Sequence, residues 1–112
     1  MKVTVELFAF GQPGETRRVT APQLPTKYPT VESLPPEGLK YFLNIIFQFG
    51  QNDFDPQPLP SVSAGDVILL SIGKFLVCST GFYRFTEEEY TSYKSIERGE
   101  HIFSAMNYAS NA

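Results

Sequence analysis

Polar and apolar positions alternate at the start of this chain and then change period. In Lys2–Phe10, Val3, Val5, Leu7 and Ala9 fall on one side; Lys2, Thr4, Glu6, Phe8 and Phe10 fall on the other. That period of two predicts a strand. Its outer side turns aromatic at Phe8 and Phe10, so that end is expected to be covered. Gly11-Gln12-Pro13-Gly14 is turn chemistry, and Glu15–Ala21 returns as a second strand of a hairpin. Five prolines (Pro22, Pro25, Pro29, Pro35 and Pro36) follow in fifteen residues. Each lacks an N–H donor and fixes φ, so Pro22–Pro36 is expected to be an extended, irregular connection.

The period changes to that of a helix at Pro36–Phe49, with proline at the start, Glu37 in the first turn and Gly50 as the stop. After Gly38 only Lys40, Asn44 and Gln48 are polar, four apart, in one narrow stripe. The apolar arc is far wider than the roughly 100° of an ordinary surface helix. Such a helix lies buried between two layers of its own fold, or keeps part of its surface for a partner. The Gly50–Pro60 loop carries Phe54 in its middle. Val67–Leu70, Phe75–Val77 and Phe82–Phe85 are short apolar runs separated by Gly73 and Gly81, which predicts an antiparallel three-stranded meander entered through a Gly65-Asp66 turn. Thr86-Glu-Glu-Glu89 is a capping box, which opens a helix from about Glu87 to Arg98, stopped at Gly99. His101–Met106 reads as a last short strand, and Asn107–Ala112 as a frayed tail. The expected fold is α+β: an N-terminal β-hairpin, a buried central helix, the meander and a C-terminal helix packed on the sheet, in a single domain spanning 1–106.

The chain has 112 residues, enough for one domain with a core of its own. A net charge of −3 argues against a dedicated duplex nucleic-acid binder and against a polybasic membrane binder. A single cysteine, Cys78, makes no internal disulfide. Met1-Lys2 runs into an alternating, early-acidic segment rather than an apolar leader, and no apolar run approaches the ~20 residues of a membrane helix. A cytoplasmic location is the expectation.

Candidate chemistry is sparse. Cys78 and His101 are the one nucleophile–base pair of their kind, but Cys78 sits in an apolar strand and reads as a small core residue, with His101 at the surface or a helix end. Asn52-Asp53-Phe54-Asp55 lacks the glycine and glutamate of a calcium loop and reads as a turn. Glu87, Glu88 and Glu89 point in different directions on a helix, and their capping role explains them better than acid–base work. Asp66 after Gly65 reads as a turn residue. One cysteine and one histidine exclude a standard structural zinc site. No catalytic residue, metal or cofactor is assigned.

The combination Phe47-Gln-Phe-Gly50, Ser61-Val-Ser-Ala-Gly-Asp-Val-Ile68, Phe75-Leu-Val77 and Gly81-Phe82 resembles the YodL-like domain and related small bacterial domains, over residues 39–85. Cys78-Ser79-Thr80 stands where that family places an aspartate and a serine before Gly-Phe. The resemblance implies an accessory module and transfers no catalytic residue. The Gly65-Asp66-Val67-Ile68 turn is also similar to the turn that opens a strand in small PUA and ASCH barrels, which bind RNA or a nucleotide.

Two functional expectations follow. The first is a non-enzymatic protein-interaction or self-assembling module, a homodimer being its simplest form, with Tyr41, Ile45, Phe49 and Phe54 as the partner face. The alternative is nucleic-acid or nucleotide binding, which needs Arg17, Arg18 and Arg84 to converge beside Tyr83 and Phe82.

Overall fold

The computed structural model describes residues 1–112. Both expected hairpin strands form, as β1 (Lys2–Glu6) and β2 (Thr16–Thr20), paired with Val3 opposite Val19 and Val5 opposite Arg17. The three apolar runs form β3 (Val67–Leu70), β4 (Gly73–Cys78) and β5 (Gly81–Arg84). The meander does not stand as a unit of its own. β1 pairs antiparallel with β3, so hairpin and meander merge into one five-stranded antiparallel sheet of order β2-β1-β3-β4-β5. β2 and β3 flank β1 and run parallel to each other, and the proline-rich segment and the first helix make the crossover between them.

Both faces of this sheet are covered, and strand alternation sorts the side chains between them. Val3, Val5, Val19, Ile68, Phe75, Val77 and Phe82 form one core with Phe42, Leu43 and Ile46 of α1 (Pro36–Phe49). Val67, Leu76, Cys78 and Phe85 form a second core with Tyr90 and Tyr93 of α2 (Glu87–Lys94) and Ala105 of α3 (His101–Ala105). The central helix is therefore not buried between layers. It lies on one face of the sheet, with Phe42, Leu43 and Ile46 inward and Tyr41, Asn44 and Gln48 exposed.

Three further expectations change. The second helix stops at Lys94, four residues early, because the Ser95 hydroxyl donates to the Ser92 carbonyl at 2.7 Å and closes the last turn. His101–Met106 forms α3 rather than a strand. His101 and Ala105 are buried while Phe103 between them is exposed, which a helix achieves and a strand, with 101, 103 and 105 on one face, does not. Asn107–Ala112 is docked rather than frayed: Asn111 N and Ala112 N both donate to the Phe82 carbonyl. The capping box of α2 forms as expected, with Glu89 N donating to the Thr86 hydroxyl and Thr86 N to the Glu89 carboxylate. Pro22–Pro36 is irregular as expected, apart from one 3-10 turn at Val31–Ser33 that buries Val31 in the first core.

Gly50 ends α1 for a reason of packing. Its φ is −84°, which any residue adopts, but a Cβ there would lie 2.4 Å from Val62 Cγ2. Gly50→Ala is expected to destabilise the fold by about 1–3 kcal/mol, as overpacking does, and Val62→Ala in the same chain to recover part of that loss. Urea unfolding of the native chain and both variants measures it, and an unchanged Gly50→Ala would show that this helix end has room.

Candidate functional site

Tyr41, Ile45 and Phe49 repeat every four residues, so they rise along one flank of α1 over about 12 Å. Their exposure is graded. Tyr41 is 69% exposed, Ile45 is half-buried without joining either core, and Phe49 packs against the first core. Phe54 closes the row from the following loop. Its ring stacks on Phe49 with centroids 4.3 Å apart and planes 24° apart, while 52% of its surface stays exposed. All four residues expected at a partner face thus belong to one flank of α1 and the loop beside it.

The loop that carries Phe54 is held by Arg17. This side chain comes from β2, alternates onto the α1 face and is fully buried. Its Nη1 donates to Asn52 Oδ1 at 2.7 Å and to the Pro60 carbonyl at 3.2 Å, and its Nη2 to the Asp55 carbonyl at 2.6 Å. Burial lowers the guanidinium pKa, and the Asp55 charge partly offsets that. Asn52 adds bonds of its own, from Nδ2 to the Leu59 carbonyl and from its backbone N–H to the Ser61 hydroxyl. Asn52 to Asp55 is thereby a side-chain-bonded turn.

The arginines do not converge. Arg17 is consumed inside the fold, Arg18 faces the opposite side of β2, and Arg84 sits on β5 at the far edge of the sheet. Four strand spacings separate β2 from β5, about 19 Å. Arg84 lies over the Phe75 ring, 5.6 Å from its centroid, and its guanidinium donates to the Ile72 carbonyl. The face that nucleic-acid binding through Arg17, Arg18 and Arg84 requires is absent, because alternation and strand order send them to three places.

A polar cluster that the local pattern of the chain does not reveal lies under the second core. Asp66 is buried, and its carboxylate accepts from Ala9 N at 2.9 Å and Ser63 N at 2.8 Å, tying the turn after β1 to the turn before β3. Burial pushes its pKa up to about 6, against the pull of these N–H groups. Tyr93, fully buried, donates its hydroxyl to the Gly65 carbonyl at 2.5 Å, and burial raises its pKa. His101 is buried too, rather than at the surface, with Nε2 3.1 Å from the Tyr93 carbonyl and Nδ1 unpartnered. Burial lowers its pKa. Phe8 roofs the pair, 5.4 Å from Tyr93 and 4.8 Å from His101 between ring centroids; Phe10, expected to be covered as well, is exposed. In the sequence only the Gly65-Asp66 step marks this cluster, and its acid by itself reads as a turn residue.

This cluster does not assemble a reactive centre. Cys78 is buried, its thiol donates to the Leu76 carbonyl, burial raises its pKa, and no hydrogen bond joins it to His101. A cavity of about 190 Å³ opens beside His101, lined by Glu6, Glu15, Lys94 and Arg98 among others. Those charges are already engaged. Tyr90 donates to Glu6, Gln12 N to Glu15, Arg98 to the Gly11 carbonyl, and Lys94 lies over the Tyr90 ring. No three His, Cys, Asp or Glu side chains gather where they could hold a metal ion, and no helix is long and apolar enough to cross a membrane. Compared with protein-family models, curated proteins and solved structures, the chain has no match.

Two outcomes test this chemistry. Arg17→Lys keeps the charge but cannot reach carbonyls on two sides. It is expected to cost on the order of 2–3 kcal/mol in urea unfolding and to speed amide exchange across Asn52–Leu59; unchanged stability and exchange would mean that the loop holds itself. Asp66 binds its proton near pH 6 when folded and near 3.8 when unfolded, so the folded state holds more protons between those values. Stability from this group therefore rises on acidification, by roughly 2.4 kcal/mol from pH 7.5 to pH 4. His101, lowered from 6.5 by burial, works in the opposite direction below that pH. Comparing the native chain with Asp66→Asn cancels the His101 contribution, so the gap between them is expected to move in favour of the native chain as pH falls. A gap that stays constant would show that Asp66 ionises normally.

Proposed function

We propose that this chain is a non-enzymatic protein-interaction module whose Tyr41–Ile45–Phe49–Phe54 face docks on a second copy of itself. The observation that carries this reading is the Phe49–Phe54 stack, half open to solvent and set in place by the buried Arg17. A rigid, partly exposed aromatic pair loses little conformational entropy when it is covered, which favours it as an interface anchor. Tyr41 and Ile45 extend the face beyond both cores, and Lys40, Asn44 and Gln48 border it with polar groups. A two-fold dimer covers the same face on both copies at once. The resemblance to YodL-like domains points the same way, to an accessory module, and supplies no residue to this face.

Tyr41→Glu combined with Phe54→Glu changes only exposed side chains and leaves the buried positions of α1 intact. Light scattering is expected to give a dimer for the native chain and a monomer for the double variant, with matching circular dichroism. A native chain that stays monomeric at every concentration, or a double variant that still dimerises, would sink the proposal.

A further inference from the structure

The cavity beside His101 shares no residue with the Tyr41 face. It opens between the β1–β2 turn and the link from α2 to α3. Two acids, Glu6 and Glu15, come from the hairpin side, and two bases, Lys94 and Arg98, from the helix side. Opposite charges around one small space ordinarily pair. Here none of the four does so, and the one ion pair of the structure joins Lys74 to Glu87 at 2.9 Å.

Each of the four is held by a neutral group instead. The Tyr90 hydroxyl donates to Glu6 Oε1 and Gln12 N to Glu15 Oε1, which leaves both Oε2 atoms without a donor. Arg98 Nη2 donates to the Gly11 carbonyl, and Lys94 Nζ lies over the Tyr90 ring, 4.6 Å from its centroid. Neutral partners orient an ionic side chain and leave its charge for an ion from outside. His101 gives a second sign of an occupant. Its Nε2 lies 3.1 Å from the Tyr93 carbonyl, which only accepts, so Nε2 carries the proton and Nδ1 the lone pair. No group of the chain donates to Nδ1, although His101 lines the cavity and is only 5% exposed. Buried polar atoms ordinarily have a partner.

The size and the remaining walls narrow the class of ligand. Leu7, Phe8 and Ile96 are the apolar part of the lining. The volume of about 190 Å³ falls below the ~300–1,000 Å³ of sites for drug-sized molecules and suits a free amino acid.

We propose that this cavity binds a small zwitterion, a free amino acid with an aliphatic side chain. Its ammonium meets Glu6 and Glu15, the half-buried pair, and is the kind of donor that Nδ1 lacks. Its carboxylate meets Lys94 and Arg98, the exposed pair. Its side chain lies against Leu7, Phe8 and Ile96. A molecule with both charges neutralises both pairs, and an ion of one sign neutralises only one.

The test titrates the full chain with L-leucine, with 4-methylpentanoate, which lacks the amine, and with 3-methylbutylamine, which lacks the carboxylate. The amide signals of Gly11, Gly14 and Ile96 report occupancy. Leucine is expected to bind roughly ten-fold tighter than either fragment, since each fragment forgoes one set of charge-assisted hydrogen bonds. Two variants separate the ends of the site. Arg98→Gln is expected to weaken leucine and 4-methylpentanoate and to leave the amine unchanged. Glu15→Gln is expected to weaken leucine and the amine and to leave 4-methylpentanoate unchanged. Glutamine still donates to the Gly11 carbonyl in the first and accepts from Gln12 N in the second, so both chains are expected to keep the native spectrum elsewhere. Signals that leucine does not move would overturn the proposal. So would a fragment that binds as tightly as leucine, or variants that bind all three probes as the native chain does.

Discussion

A guanidinium buried in an apolar core must be solvated by the chain itself, and much of the architecture around α1 follows from how this chain solvates Arg17. The side chain points inward because it stands opposite Val5 in the ladder, in the row Arg17–Val5–Ile68–Phe75–Arg84 that crosses the whole sheet. No carboxylate bonds it directly. Its Nη donors go instead to the Asn52 side chain and to carbonyls of residues 55, 59 and 60, while Nε is buried without a partner. Each of those acceptors would otherwise belong to a loop free to move, so desolvating one charge orders about ten residues. Phe54 is carried on that loop, and its stack on Phe49 follows from it.

The same row ends at Arg84, and the two edges of the sheet show one solution twice. An exposed strand edge invites pairing by another chain, and here a side-chain amide answers part of each edge. On β2, Gln57 Nε2 donates to the Arg18 carbonyl. On β5, Asn111 occupies both backbone groups of Arg84. Amide side chains carry the donor and acceptor of a peptide group without continuing as a strand, so they satisfy an edge without extending the sheet.

The two cores differ in character. The α1 side is aliphatic with Phe42, Phe75 and Phe82, and its one buried charge is Arg17. The α2–α3 side is aromatic and polar, with Tyr90, Tyr93, Asp66 and His101 bonded largely to backbone. There the short helices α2 and α3 bring little apolar surface, and the buried Tyr93 hydroxyl, donating to the Gly65 carbonyl and lying 3.3 Å from the His101 carbonyl, fixes their place against the turn at Gly65.

The local pattern alone determined the five strands, the first helix from Pro36 to Phe49, the capping box at Thr86 and the burial of Cys78. Each rests on neighbours within a few residues: alternation at Val3-Thr4-Val5, proline at the start of a helix, a threonine and a glutamate three apart. The narrow stripe of Lys40, Asn44 and Gln48 likewise set Tyr41, Ile45 and Phe49 on the wide apolar arc of that helix. Contacts between distant residues decided the rest. Arg17 looked like a surface base because nothing near it in the chain showed that residues 52–60 would wrap it, thirty-five positions away. His101–Met106 has too few residues for its period to tell helix from strand, and packing of His101 and Ala105 against the second core chose helix. The tail at Asn107–Ala112 lacks a periodic pattern, and its order comes wholly from the open edge of β5. Tertiary structure decided these because burial and edge pairing are properties of where a residue lands, and short segments carry that information only in their partners.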